Sequence, residues 1–231
     1  MPGPGPARCP GSHSWDPRKV TGSADDSLRR LPSGLWERLR ADPARAPEHI
    51  ALAAADVHGP SAAAWVAERR ATYAHGPPEL ARMAKARHAS LARFGGAATG
   101  IGGVVTLLPD LAALAWIQSR LVFYVAAAYG YDPLDPMRPA ELLVLRGFYG
   151  DPITARRALD GVGSTVVQAW VGQRMSRDEA LAARLLKMAG KQAGKRIAGR
   201  LIPGVAILVN AVGNERDTRA LADRAIRFYG G

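Results

Sequence analysis

The chain has 231 residues, of which 48% are hydrophobic, and this is enough to bury the core of a folded domain. Lysine and arginine number 31 against 20 acidic residues, a formal net charge of +11 at pH 7. The excess of positive charge favours anionic lipid or nucleic acid as a partner. A GC-rich genome, which encodes many arginines, is an equally good explanation for part of this excess. The single cysteine, Cys9, excludes an intrachain disulfide and a cysteine-based metal centre, and it agrees with a reducing cytoplasm.

Residues 1–27 are rich in proline and glycine and poor in hydrophobic side chains, which predicts a disordered tail. They lack the basic segment followed by an apolar run that a secretory signal requires, so we expect no export by that route.

Beyond the tail, apolar residues recur at spacings of three and four, and no alternating pattern is long enough to indicate a strand. This periodicity predicts an all-α protein of about eight helices, with accessory helices over residues 28–75 and a larger helical domain over residues 76–231. Within the accessory part, His58-Gly59-Pro60 is expected to end one helix and Ser61 to cap the next. Polar or proline starts are predicted near Gly76, Asp135, Asp151 and Ser176.

The segment 94–132 is glycine-rich and apolar. Its uncharged run from Phe94 to Leu108 would rise about 22 Å as a helix, less than the roughly 30 Å of a bilayer core. Pro109 is expected to break the helix and Asp110 to cap the next one, which contains Arg120. These features predict a helical hairpin that is buried in the protein or enters a membrane without crossing it.

Gly95 to Gly102 is similar to the phosphate-binding turn of short-chain dehydrogenases. A dinucleotide turn must follow a strand, whereas this one follows a basic helical stretch, and no Tyr-x-x-x-Lys pair is present. Gly96 and Gly100 are one turn apart and instead indicate close helix packing, in a membrane or in a soluble core. The five histidines lack the spacing of a helical zinc site, so each is expected at the surface or at a cap. We therefore expect no cofactor, no metal and no catalytic residues.

The C-terminal third contains a predicted basic amphipathic helix over residues 185–201. Its cations include Lys187, Lys191, Lys195, Arg196 and Arg200. Such a helix either lies on anionic lipid, each cation contributing about 1 kcal/mol, or forms a solvated face. Specific nucleic-acid binding is not expected, because no aromatic residues alternate with the cations.

An ordered set of landmarks between about Pro77 and Tyr229 resembles the EcsC family. They are the glycine-rich segment, Pro109-Asp110, Arg120, Tyr129-Gly130-Tyr131-Asp132, the basic helix, Ile202-Pro203, Asn214 and Tyr229. The resemblance implies a bacterial protein with a link to membrane transport and no defined activity.

The prediction for the whole chain is a non-enzymatic cytoplasmic protein at the inner face of a bacterial membrane. It follows from the positive net charge, the interrupted apolar segments and the resemblance to the EcsC family. Its expected partner is anionic lipid or a membrane protein. One alternative is an enzyme or carrier for a hydrophobic small molecule, held in a helical pocket with Asp110, Arg120 and Asn214 as its polar groups. Another is a soluble helical interaction module.

Overall fold

The computed structural model describes residues 30–95, 103–161, 177–189 and 205–231. These residues contain eight α-helices, one 3₁₀ turn and no strand, which confirms the predicted all-α class. The predicted tail over residues 1–27 lies outside the described residues. The elements are α1 (Leu35–Ala41), a 3₁₀ turn (Pro43–Arg45), α2 (Ala46–Thr72), α3 (Pro77–Gly95), α4 (Gly103–Ala128), α5 (Arg138–Leu145), α6 (Pro152–Leu159), α7 (Arg177–Ala189) and α8 (Val205–Gly230).

Two of the predicted helix starts are marked by a proline in the first turn, and one of them also has a capping residue. α3 begins at Pro77 and α6 at Pro152, so each proline occupies the first turn, where a backbone N–H would lack an intrahelical partner. Asp151 caps α6, since its carboxylate accepts a hydrogen bond from the backbone N–H of Thr154 at 2.8 Å. Both starts are confirmed.

α2 runs through His58-Gly59-Pro60 without a break, so the predicted helix end and the predicted Ser61 cap are wrong. Pro60 lies on the exposed side of α2, where water can reach the Asp56 carbonyl that loses its amide partner. Ser61 instead donates its hydroxyl to the Val57 carbonyl at 2.9 Å. Burial of the opposite side of α2 outweighs the local helix-breaking tendency of the proline.

α4 likewise contains Pro109, so the predictions that Pro109 ends a helix and that Asp110 caps the next one are wrong. Pro109 is exposed on its helix, as Pro60 is. The stretch Leu108–Ala128 is long and apolar enough to cross a membrane, but 94% of its apolar 18-residue window is buried inside the protein. Because Gly103–Ala128 is one helix, the predicted hairpin turn at Pro109 is wrong. α4 packs against α3, and residues 96–102 between them lie outside the described part of the chain.

α4 is the central helix and packs against α2, α3, α7 and α8. Its buried face includes Trp116, Leu121 and Phe123. α3 also packs along α8, with Lys85 Nζ 2.5 Å from the Asp223 carboxylate. α2 contributes to the same hydrophobic core as the helices that follow Pro77, so α2, α3 and α4 meet around one interior.

Candidate functional site

A buried arginine lies within the apolar helix α4. Arg120 is only 6% exposed, and its Nη2 donates a hydrogen bond to the phenolic oxygen of Tyr124 at 2.6 Å, one turn later. Its Nε and Nη1 have no hydrogen-bond partner among the described residues, and no carboxylate there forms an ion pair with it. Because a guanidinium stays protonated in proteins, α4 holds a buried positive charge that the described residues leave without a counter-ion.

Two histidines from neighbouring helices border the same region. His58 of α2 is 4% exposed, and its ring centroid lies 4.2 Å from that of Trp116. His88 of α3 is fully buried, and its ring centroid lies 5.0 Å from that of Tyr124. The Nε2 atoms of both histidines lack a hydrogen-bond partner within the part of the chain that the structure describes.

Both imidazoles are neutral at physiological pH. Burial lowers the pKa of His58 to about 3, and repulsion from Arg120 and His88 adds to the effect. Burial also lowers the pKa of His88 to about 3, opposed by a hydrogen bond to the Ala84 backbone. His88 Nδ1 lies 2.8 Å from the Ala84 carbonyl oxygen, so the neutral ring carries its proton on Nδ1 and presents Nε2 as an acceptor.

We call Arg120, Tyr124, His58 and His88 the Arg120 cluster. Trp65 closes one side of it, with its ring centroid 5.2 Å from that of Tyr124. The cluster offers N–H donors on one positive charge, imidazole acceptors and an aromatic enclosure. This combination is suited to a single negative charge attached to an apolar body.

The prediction that every histidine lies at the surface or at a cap is wrong for His58 and His88. The sequence contained a signal for His88, since Leu80 and Ala84 precede it by eight and four residues on the buried face of α3. His58 lies four residues after Ala54 and four before Ala62 on the buried face of α2.

Among the described residues, no other predicted binding residue forms a hydrogen bond with Arg120. Asp110 is ten residues earlier on α4, about 15 Å along the helix axis. Asn214 lies on α8, and its backbone carbonyl accepts a hydrogen bond from the Thr218 hydroxyl at 2.7 Å. Lys187 is exposed on α7 and lies 4.5 Å from the ring centroid of Phe148. The remaining cations of the predicted basic helix, Lys191, Lys195, Arg196 and Arg200, lie outside the described residues.

A second polar cluster joins α5 to the end of α8. The ring of Tyr131 lies 5.1 Å from that of Tyr229, and the Arg138 guanidinium lies 5.2 Å from the Tyr131 centroid. Glu141 accepts hydrogen bonds from Arg138 and from the Tyr229 phenol, the latter at 2.7 Å. Burial raises the pKa of Glu141, and these two partners oppose that rise. Because Tyr229 of α8 donates its hydrogen bond to Glu141 of α5, this cluster joins the two helices.

Seven of the eight lysine and arginine residues on α3 and α8 are exposed. We call this the α3–α8 basic surface, and its exposed members are Arg82, Arg87, Arg93, Arg216, Arg219, Arg224 and Arg227. Glu215 pairs with Arg219 at 2.8 Å and lies 3.8 Å from Arg93. Burial and then repulsion from Arg227 lower the pKa of Arg224, so like charges lie close together on this surface.

Searches of curated proteins and of solved structures find no match to the chain. The model of the EcsC protein family matches residues 77–230, about two thirds of the sequence. The matched range contains α3 to α8 and therefore three members of the Arg120 cluster, whereas His58 on α2 lies before it. The chain belongs to the EcsC family.

Proposed function

We propose that this protein is a non-enzymatic peripheral membrane protein that binds anionic lipid headgroups through its exposed cations. The observation that carries the proposal is the separation of charge from apolar surface. The stretch apolar enough to enter a bilayer, Leu108–Ala128, lies mostly in the core, with 94% of its apolar 18-residue window buried, whereas the α3–α8 basic surface is exposed. Attraction between cations and lipid phosphates therefore supplies the contact, without insertion of this stretch.

The charge of the two surface helices is sufficient for such a contact. α3 and α8 together carry eight lysine and arginine residues against four acidic ones. Each cation near an anionic bilayer contributes about 1 kcal/mol, so a few of them give reversible attachment. Exposed Lys187 on α7 adds a further cation, and Lys191, Lys195, Arg196 and Arg200 of the predicted basic helix lie outside the described residues. The resemblance to a bacterial family linked to membrane transport supports the inner face of the cell membrane as the location.

Co-sedimentation with vesicles tests this function. The purified protein is mixed with vesicles of phosphatidylcholine alone and of phosphatidylcholine with phosphatidylglycerol, at low and high salt. We expect sedimentation only with the anionic vesicles and release at high salt, because salt screens charges separated by more than a Debye length. Salt-resistant sedimentation would indicate insertion, and no sedimentation with either vesicle would reject the proposal in favour of a soluble interaction module.

A pair of charge reversals tests the surface itself. Arg216→Glu with Arg227→Glu removes two exposed cations of α8 and should abolish binding to the anionic vesicles. Arg38→Glu with Arg40→Glu changes the net charge equally on the exposed part of α1 and serves as the matched control. Equal losses in the two double variants would mean that net charge alone, and not the α3–α8 basic surface, determines binding.

A further inference from the structure

The Arg120 cluster has a chemistry that peripheral binding does not use. A buried charge without a counter-ion costs several kcal/mol even after the protein relaxes around it. Arg120 has one described hydrogen bond, to a neutral phenol, while its Nε and Nη1 have no partner in residues 30–95, 103–161, 177–189 and 205–231. Arg138, which is equally buried, is better matched, since it has carboxylate partners in Asp135 and Glu141. Among the described residues, Arg120 therefore has no anionic partner.

The neighbours of Arg120 define what kind of anion fits. A polyphosphate or nucleotide carries several charges, whereas the cluster offers a single guanidinium beside two neutral imidazoles. His88 presents an Nε2 lone pair, which accepts from a protonated oxygen or from a water bound to the anion. The surrounding side chains, Trp65 and Trp116 among them, are aromatic or aliphatic, so the remainder of the ligand must be apolar.

We propose that the Arg120 cluster binds the head group of an amphiphile that carries one singly charged oxyacid group, a carboxylate or the monoprotonated form of a phosphate monoester. Arg120 Nε and Nη1 donate to the oxygens of the head group, and His88 Nε2 accepts from its hydroxyl or from a bridging water. The apolar chain of the ligand lies among the side chains that α2, α3 and α4 contribute to the core.

The position of Pro60 favours entry on the α2 side. The cluster rings are in contact in this structure, so an apolar chain is admitted only if α2 moves relative to α4. Pro60 lacks the backbone N–H that would bond to the Asp56 carbonyl, which weakens α2 two residues from His58. The helix can therefore bend next to the cluster with little loss of hydrogen bonding.

Displacement of a fluorescent fatty acid tests the site in the full-length protein. The protein is first stripped of bound lipid and then loaded with cis-parinaric acid. The competitors are dodecanoate, dodecyl phosphate, uncharged dodecanol and inorganic phosphate. We expect one or both anionic amphiphiles to displace the probe at least about tenfold more effectively than dodecanol, since a charged hydrogen bond is worth about 1.5–3 kcal/mol. The stronger of the two identifies the head group.

Variants assign the binding to Arg120. Arg120→Gln should raise the dissociation constants of parinaric acid and of the anionic amphiphiles by about tenfold and leave that of dodecanol unchanged. Arg40→Gln, at an exposed position of α1, should leave the binding of all competitors unchanged. Vesicle sedimentation of Arg120→Gln should match that of the wild type. The displacement assay therefore tests the Arg120 cluster, and vesicle sedimentation separately tests the α3–α8 basic surface.

The wild-type protein alone can overturn the proposal, even if Arg120→Gln does not fold. Equal displacement by dodecanol and by the anionic amphiphiles would show that the head group has no charge partner in the protein. Absence of parinaric acid binding, or displacement by inorganic phosphate as strong as by dodecyl phosphate, would also contradict it. In that last case the apolar chain would contribute nothing.

Discussion

The phenolic oxygen of Tyr124 accepts a hydrogen bond from Nη2 of Arg120 at 2.6 Å, and the Arg120 guanidinium lies 4.8 Å from the Tyr124 ring centroid. The two residues are one turn apart on α4, so the helix itself brings them together. A phenol is a neutral acceptor, and it orients the guanidinium without neutralising it. The arrangement resembles a positioned binding group more than a stability device, because two of the three guanidinium nitrogens have no described partner.

Removal of this charge should stabilise the ligand-free protein. Arg120→Met combined with Tyr124→Phe removes the buried guanidinium together with the phenol that would otherwise lose its partner. We expect the free energy of unfolding in urea to rise by about 1–3 kcal/mol, since an uncompensated charge is replaced by apolar volume. Destabilisation by a similar amount would show that Arg120 already has a counter-charge in the folded chain.

The neutral histidines should make the protein sensitive to acid. In the folded state the pKa values of His58 and His88 are about 3, against 6.5 for an ordinary histidine. Between these values the unfolded chain binds more protons than the folded chain, so stability falls as the pH decreases from about 6.5 to about 3. At pH 5 each histidine should reduce the free energy of unfolding by about 2 kcal/mol relative to neutral pH.

Urea unfolding at pH 7 and pH 5 measures this effect. His88→Asn should reduce the difference between the two pH values by about 2 kcal/mol. Ser90→Ala, at an exposed position of α3 without a titratable side chain, is the control and should leave the difference unchanged. An identical pH dependence in wild type and His88→Asn would mean that His88 is accessible to protons in the folded state.

Gly59 allows α2 to approach the loop after α4. A Cβ atom at position 59 would lie 2.9 Å from the Pro133 carbonyl oxygen and 3.2 Å from Leu134 Cδ2. Gly59→Ala should therefore destabilise the protein by about 1–3 kcal/mol, despite the better helix propensity of alanine. Gly150→Ala, where the Cβ meets open space, should change the midpoint of thermal unfolding little. A stable Gly59→Ala variant would show that the loop at Pro133 moves easily.

Tyr229 should contribute to stability through its hydroxyl group. Tyr229→Phe removes the hydrogen bond to the Glu141 carboxylate and leaves that buried group with fewer donors, which we expect to cost about 1–2 kcal/mol in the free energy of unfolding. Tyr131→Phe is the matched control, because Tyr131 is 44% exposed and contacts Arg138 through its ring. Equal effects of the two substitutions would exclude the Tyr229–Glu141 hydrogen bond as the cause.

The sequence alone predicted the features that depend on neighbouring residues. Helical periodicity determined the fold class, and Asp151-Pro152 determined the start of α6, because a cap and a first-turn proline act within four residues. Arg120 is a predicted binding residue because a charged residue within an apolar helix can be recognised in the sequence whichever face of the helix it occupies. The EcsC landmarks also predicted a family that the match over residues 77–230 confirms.

Only the tertiary structure decided the features that depend on distant residues. Pro60 and Pro109 are strong local breakers, yet both helices continue, since burial of their opposite faces against other helices outweighs the loss of one hydrogen bond. His58 and His88 were assigned to the surface because a single helix does not show which face will be covered. Both histidines come close to Arg120 only because three helices pack together. Burial lowers the pKa of each imidazole, and the spacing of residues in the sequence does not show that burial.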